Sequence, residues 1–406
     1  MSKIKIKNFG PIKEDNQKDD GWIDIKKVTV FIGNQGSGKS TVAKVISTMT
    51  WLEKAINRGD IDRKKISQAK FEEFFQYQRI ENYFRHETEI EYTGKRLKIR
   101  YSKKISPPEI TIEEKSSYLV PKIMYIPSER NFLSTISDAY DTKGLPDNIF
   151  TFAEELKKAQ KEFSGNKLQL PLSNYSYEYD ENKDSSYILG TDYRLNLLEA
   201  SSGIQSLVPL FLVYRNLAKS ISEEEETLRK NLSVTQSIRM DNEIAKLMLT
   251  KTFLDSEIEN EINKIRARYY NKCFYNIVEE PEQNLFPSSQ WIMLKSLLKF
   301  NNKNIDNKLI ITTHSPYLIN CLTLAVKAAT LKENINIDFP KLVHIVPVNS
   351  MVDPEDLVIY ELDEKNGTIK MLGNYNGIPS DENFLNEFLG EGNRLYDKLL
   401  EIEEGL

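Results

Sequence analysis

The run Phe31-Ile32-Gly33-Asn34-Gln35-Gly36-Ser37-Gly38-Lys39-Ser40-Thr41 constrains this chain more than any other stretch. From Gly33 to Ser40 it follows G-x-x-x-x-G-K-S, the pattern of a phosphate-cradling loop. Before it, Val28-Thr29-Val30-Phe31-Ile32 is apolar and β-branched, which predicts a buried strand. After it, Val42, Val45 and Ile46 recur at helical spacing, with Trp51 and Leu52 continuing the face. The chemistry needs this order of strand, loop and helix. Glycines allow the tight turn and let backbone N–H groups approach phosphate oxygens closely. The helix N-terminus adds the positive end of its dipole. Gly33, Asn34, Gln35, Gly36, Ser37, Gly38, Lys39, Ser40 and Thr41 are therefore the expected nucleotide-binding residues. Lys39 is expected to reach the β- and γ-phosphates, and the Ser40 hydroxyl to bind Mg2+.

Around this loop the pattern is that of an α/β protein. Ile4-Lys5-Ile6-Lys7 and Trp22-Ile23-Asp24-Ile25 alternate as half-exposed strands, joined through a polar loop at 16–20. Residues 64–85 read as helix, with Phe71, Phe74 and Phe75 on one packing face. Alternation at 87–101 and 110–112 predicts a small antiparallel lobe. Lys122-Ile123-Met124-Tyr125-Ile126 is a buried-type strand ending in Pro127-Ser128-Glu129-Arg130-Asn131. A charged pair at a strand's carboxyl end points to the ligand edge of an α/β sheet. Arg130 is then a candidate for phosphate or for a partner subunit, or forms a surface salt bridge. Residues 150–163 read as helix, and 175–179 with 187–189 as a hairpin across Asn182-Lys183-Asp184.

Three further stretches carry chemistry. Glu199-Ala200-Ser201-Ser202-Gly203-Ile204-Gln205-Ser206 precedes an apolar helix at 207–217, a helix start suited to an anion. Phe274-Tyr275-Asn276-Ile277-Val278 is a buried strand ending in Glu279-Glu280-Pro281-Glu282, then Asn284-Leu285-Phe286-Pro287. Adjacent carboxylates there are unfavourable unless a cation sits nearby. Leu309-Ile310-Ile311-Thr312 leads into Thr313-His314-Ser315-Pro316.

Taken as an ordered set, these motifs resemble those of ABC-type ATPases of the SMC, RecF and OLD-like group. The Glu-Glu-Pro-Glu and Thr-His-Ser-Pro forms are most similar to OLD and RecF-like heads, and to ATPase subunits of anti-phage systems such as PARIS and Septu. The resemblance implies that Glu279 holds Mg2+, that Glu280 polarises the attacking water, and that His314 senses the γ-phosphate. It implies that Ser202, Gly203 and Gln205 belong to a signature that meets the nucleotide held by a second subunit. ATP and Mg2+ are the implied cofactors. A homodimer or higher homo-oligomer is the implied assembly, with a separate effector nuclease or toxin and a phage-encoded trigger as further partners. Ile204 stands where transporters usually have glycine, which counts against a transporter subunit. Long SMC-type coiled coils lie between phosphate loop and signature. The charged, helix-favouring insert at 219–270 comes after the signature and is too short for such an arm. It carries the acidic run Glu223–Glu226 and a stripe of Ile258, Ile262 and Ile265, and is expected to form a helical hairpin.

Beyond the switch-like histidine, 342–346 reads as a strand. Residues 357–362 and 368–372 flank the hairpin turn Asn366-Gly367. Phe384, Leu385, Phe388, Leu389, Leu395, Leu399 and Leu400 recur at helical spacing, as in a helix packed on the core. OLD nucleases carry a C-terminal Toprim domain with clustered acidic ligands. The segment after Leu322 is too short for one, so any nuclease is expected on a separate polypeptide.

The fold class is thus expected to be α/β, an ABC-type head with an antiparallel β lobe, a helical subdomain, a helical insertion and a small C-terminal extension. The expected division is 1–218, 219–270, 271–330 and 331–406. Net charge is −5, which argues against a surface given over wholly to nucleic acid but leaves a local basic groove open. Cys273 and Cys321 sit in or beside apolar runs and read as free thiols of a reducing cytoplasm. The start lacks an apolar signal segment, and no run of 18 apolar residues predicts a membrane span.

Overall fold

The computed structural model describes residues 2–13, 20–113, 118–135, 144–172, 174–221, 228–229, 232–249, 255–334 and 336–404. Residues 16–19 of the expected polar loop and the acidic run Glu223–Glu226 lie outside these. The alternating start forms β1 (Ser2–Phe9), with Ile4 and Ile6 fully buried and Lys3, Lys5 and Lys7 half-buried. It pairs antiparallel with β2 (Ile23–Ile25). All six residues of β3 (Val28–Gly33) are buried, and the phosphate loop then delivers the chain into α1 (Lys39–Asn57). A short α2 (Gln68–Glu73) precedes β4 (Phe84–Thr93), β5 (Leu97–Ser102) and β6 (Ile105–Ile112). These complete an antiparallel sheet of order β2-β1-β4-β5-β6.

Next come β7 (Pro121–Ile126) and α3 (Asp147–Lys161). A small antiparallel sheet follows, built from β8 (Lys167–Gln169), β9 (Ser176–Asp180), β10 (Ser185–Leu189) and β11 (Arg194–Asn196). Helix α4 (Ser202–Ser220) leads to the insert, where α5 (Val234–Leu249) and α6 (Asp255–Tyr269) pack as the expected hairpin on Met240, Ile265 and Tyr269. The chain ends with β12 (Cys273–Glu279), α7 (Pro287–Asn301), β13 (Lys308–Thr313), α8 (Pro316–Lys332), α9 (Phe339–Ile345), β14 (Leu357–Asp363), β15 (Thr368–Met371) and α10 (Phe384–Glu404).

The central sheet runs β15-β14-β3-β13-β12-β7, parallel except for β15. Both faces are covered, which is why its strands read as unbroken apolar runs. Val28, Val30, Ile32, Leu309 and Ile311 point into a core with α3, α4, α7 and α8. Phe31, Ile277, Ile310 and Tyr360 point into a second core with α1 and the antiparallel sheet. The period-2 alternation of the strands thus divides one sequence run between two cores.

Several elements depart from the sequence reading. Residues 64–85 form α2 flanked by short 3-10 turns rather than one helix. Phe71 and Phe75 are buried, but they pack on Tyr101 and Phe84 through the turns, and Phe74 packs on Trp51. Trp51 itself is exposed on α1. Residues 342–346 belong to helix α9 and its end, not to a strand. Asp338 caps it by accepting from the Lys341 N–H (3.2 Å), and Pro340 sits in its first turn. The hairpin about Asn366-Gly367 is an integral part of the central sheet, because β14 pairs with β3. Helix α10 forms, and near its start the Phe384 N–H donates to Glu361 (2.9 Å) and Leu385 meets the core. Phe388, Leu395, Leu399 and Leu400 are exposed rather than packed, and the Leu389 side chain lies outside the described residues. Among the described residues no helix is long and apolar enough to cross a membrane.

Ile310 is fully buried in the middle of the sheet, so Ile310→Ala is expected to cost about 2–5 kcal/mol of stability. Urea unfolding followed by circular dichroism checks this, the expected result being a lower midpoint with an unchanged slope.

Candidate functional site

The parallel register brings the strand ends of the sheet together. Glu279 pairs with Thr312, Thr313 with Ile32, and Gly33 with Leu362. Gly33 has φ +146°, and a Cβ there would lie 2.3 Å from the Leu362 carbonyl oxygen, so only glycine fits. Asn34, Gln35, Gly36 and Ser40 form an open rim, while Ser37, Gly38, Lys39 and Thr41 are buried. The Lys39 ammonium donates to the carbonyls of Gly33 and Asn34 (2.8 Å each). Burial lowers its pKa to about 8 against the opposing pull of Glu280, Glu282, Glu364 and Glu279. The Ser37 hydroxyl is buried without a hydrogen-bond partner.

His314 stands between Lys39 and Glu280. Its Nδ1 is 3.5 Å from Lys39 Nζ, and its Nε2 is 3.6 Å from Glu280 Oε1. Burial, and then the Lys39 charge, lower the His314 pKa below its usual value, which keeps the ring neutral at pH 7.

The two carboxylates differ in setting. Glu279 is buried; its Oε2 accepts from the Ser128 N–H (3.2 Å), and its Oε1 receives no hydrogen bond. Glu280 is half-buried, and burial followed by the Glu279 charge raises its pKa. It adopts left-handed φ (+42°), a strain of about 1–3 kcal/mol. Its N–H donates to the Thr312 carbonyl (2.9 Å), and its carbonyl accepts from Arg130 Nη2 (2.6 Å).

A buried carboxylate oxygen and a buried hydroxyl, both unpaired beside a glycine cradle and an ammonium, fit a magnesium nucleotide. Among the described residues no group of three His, Cys, Asp or Glu side chains forms a metal cage. Mg2+ needs none, since it binds through one or two protein ligands plus phosphates and water. Ser40 and Glu279 would hold it.

Arg130 touches neither phosphate loop nor surface. It is fully buried and donates to four carbonyls: Glu279 (2.7 Å), Glu280 (2.6 Å), Pro127 (3.2 Å) and Ser206 (3.3 Å). Both the surface salt bridge and the contact to phosphate or partner are therefore corrected. Bonds from a charged donor contribute about 1.5–3 kcal/mol each, enough together to offset a burial penalty of several kcal/mol.

Ser202 is exposed at the start of α4. Gly203 lies against the Asn284 loop, where a Cβ would be 2.7 Å from the Asn284 carbonyl oxygen. The Gln205 amide is turned inward, donating to the carbonyls of Leu197 (3.3 Å) and Leu198 (2.9 Å), so this side chain braces the loop rather than standing free for a nucleotide. Sequence reasoning missed two residues. Glu282 Oε1 accepts from Thr313 Oγ1 (2.7 Å) and the His314 N–H (2.8 Å), holding the histidine's backbone. Glu364, from the turn after β14, accepts from the Asn34 amide (3.0 Å). The third acid of Glu-Glu-Pro-Glu was a signal for the first; nothing local signalled the second.

No protein-family profile matches the chain. Endonuclease GajA of Bacillus cereus (strain HuB5-5) is 25% identical over 134 residues, covering 31% of this chain and 19% of that protein. The chain thus matches about a fifth of that relative's length. Among solved structures, an SMC head domain from Thermotoga maritima aligns over 92% of this chain and 98% of its own, at 11% identity and a TM-score of 0.38. An Smc head with an extended coiled coil, bound to the C-terminal domain of ScpA and derived from Pyrococcus furiosus, aligns over 98% and 100%, at 10% identity and a TM-score of 0.40. The sheet order, the antiparallel lobe and the strand-loop-helix at Gly33 make this an α/β chain with a P-loop at the carboxyl edge of its central sheet.

The Lys39 shift sets a pH dependence. A bound polyphosphate raises the ammonium's pKa again, so binding takes up a proton only above the free value of about 8. Nucleotide affinity is expected to be flat from pH 7 to 8 and to fall up to tenfold per unit above that. Titration with a fluorescent ATP analogue from pH 7 to 10 checks this.

Proposed function

We propose that this chain is an ATP-binding and ATP-hydrolysing switch whose heads pair head-to-tail around ATP and control a separate effector nuclease in bacterial anti-phage defence. The observation that carries the ATPase half is the placement of His314 between Lys39 and Glu280. Lys39 neutralises β- and γ-phosphate charge, and neutral His314, held between Lys39 and Glu280, senses the γ-phosphate. Glu280, its pKa raised, takes the proton of the attacking water. Mg2+ on Ser40 and Glu279 supplies charge stabilisation when bound. Ser202 and Gly203, at an exposed helix start, would meet the nucleotide of the second head. Each site is then complete only in the pair, so ATP acts as the adhesive and hydrolysis releases it.

The defence half rests on motif forms. Glu-Glu-Pro-Glu and Thr-His-Ser-Pro resemble anti-phage ATPase subunits such as those of PARIS and Septu, and the partial match to a protein named an endonuclease supports a nuclease-linked setting. A separate effector nuclease and a cytoplasmic location follow from that reading.

Lys39→Ala is expected to abolish nucleotide binding. Glu280→Gln is expected to bind ATP, slow hydrolysis by about 100-fold or more, and trap the paired state in size-exclusion chromatography. Normal turnover by Glu280→Gln overturns the assignment of the base. Pull-down of Glu280→Gln with ATP, from cells carrying the native gene neighbourhood, is expected to recover a small nuclease. Recovery of DNA without a protein partner defeats the effector half.

A further inference from the structure

The segment that follows β7 grips two functional elements at once. Its residues 128–134 form a 3-10 turn in which Arg130, Leu133 and Ser134 are buried. Arg130 binds the carbonyls of Glu279 and Glu280 on one side and that of Ser206, in the first turns of α4, on the other. Ser134 adds a second grip on the same helix, donating from Oγ to the Gln205 carbonyl (2.9 Å).

That second grip depends on a proline. Within an α-helix the Gln205 carbonyl would accept from the N–H of residue 209, and residue 209 is Pro209, which has none. Proline inside a helix costs stability, and here it frees the one carbonyl that Ser134 uses. The Ser206 hydroxyl also accepts from the Asn284 amide (3.1 Å), tying α4 to the loop behind the acid pair.

We propose that Arg130 and Ser134 are positioning residues that couple the start of α4 to Glu280, so that displacement of Ser202 and Gly203 on pairing is transmitted to the backbone of the catalytic carboxylate. This rests on the ATPase reading of the site and deepens it. The transmission runs through backbone carbonyls in a close-packed interior, where a helix shift cannot be absorbed locally. Three backbone bonds hold Glu280 in its left-handed conformation: its N–H donates to the Thr312 carbonyl, and its carbonyl accepts from the Gln283 N–H (3.0 Å) and from Arg130. Moving that guanidinium therefore re-aims the carboxylate without touching the phosphate loop.

The test uses the full chain. Ser134→Ala is the mild variant and Arg130→Lys the stronger one. Steady-state ATPase, binding of a fluorescent ATP analogue and thermal melting are measured on each, and ATP-driven pairing on each in the Glu280→Gln background. Coupling predicts that kcat falls at least fivefold for Ser134→Ala and more for Arg130→Lys, with KM, analogue affinity and pairing within about twofold. Pro209→Ala, which lets residue 209 compete for the Gln205 carbonyl, is expected to lower kcat in the same direction. A kcat within twofold of wild type for Ser134→Ala and Arg130→Lys overturns the coupling and leaves the ATPase reading standing. Parallel loss of affinity, pairing and melting temperature also overturns it, in favour of a structural brace. A wild-type protein without ATP turnover overturns both readings.

Discussion

The site depends first on the register of three parallel strand pairings. Glu279 against Thr312, Thr313 against Ile32, and Gly33 against Leu362 bring the ends of β12, β13, β3 and β14 to one edge. A parallel ladder tolerates no one-residue slip here, because both faces of every strand are buried in different cores. Slipping β13 would exchange Ile310 with Leu309 and Ile311 between the two cores, and would move His314 away from Lys39. The same apolar burial that stabilises the sheet therefore fixes the geometry of the candidate site. Glu280 and His314 each sit one residue beyond the buried run of their strand.

The chain's handling of charge at this edge follows from that. Three glutamates and one arginine cluster behind the phosphate loop, and the simplest solution would be a salt bridge between Arg130 and Glu279 or Glu280. Such a bridge would lower the carboxylate's pKa and spend its lone pairs. Instead Arg130 binds the carbonyls of those two residues. The backbone is held while the carboxylates stay uncommitted: Glu279 keeps one oxygen free of donors, and burial still raises the pKa of Glu280. Arginine suits this because its planar fork offers donors in several directions at once and stays charged when buried. Lysine has a point charge and a shorter reach.

Local signals made the phosphate loop, the strands of the central sheet and the acid pair legible, because each obeys a rule of short range: glycine spacing, apolar runs, carboxylates at a strand's end. His314 was legible from its position after β13. Arg130 was seen as a ligand-edge residue but not as a buried one, since three of its four carbonyl partners lie 76, 149 and 150 positions away and carry no side-chain identity. Residues 342–346 misled for a related reason. Val343, Ile345 and Val346 favour a strand, and Asp338 with Pro340, which set the helix, lie outside the apolar run. For 64–85 the apolar residues were right and their period was not, because the aromatic cluster is built from turns. The spacing of α10 was read correctly as a helix, but spacing alone does not say which surface covers it.

The C-terminal hairpin changes how the phosphate loop is understood. Without β14, β3 would be the edge of the sheet, with one row of backbone groups unpaired. With it, Gly33 is enclosed on both sides, and the Leu362 carbonyl comes so close that no Cβ is tolerated. The turn beyond β14 then reaches over the loop: Glu364 accepts from Asn34, and the Gly367 carbonyl accepts from the Lys13 N–H at 2.9 Å. Glu364 also helps keep Lys39 charged against burial. A segment more than 300 residues after the loop therefore shapes both its backbone and its electrostatics. The glycine at position 33 is therefore required by this enclosure on steric grounds alone, because the Leu362 carbonyl of the enclosing strand takes the space a Cβ would fill.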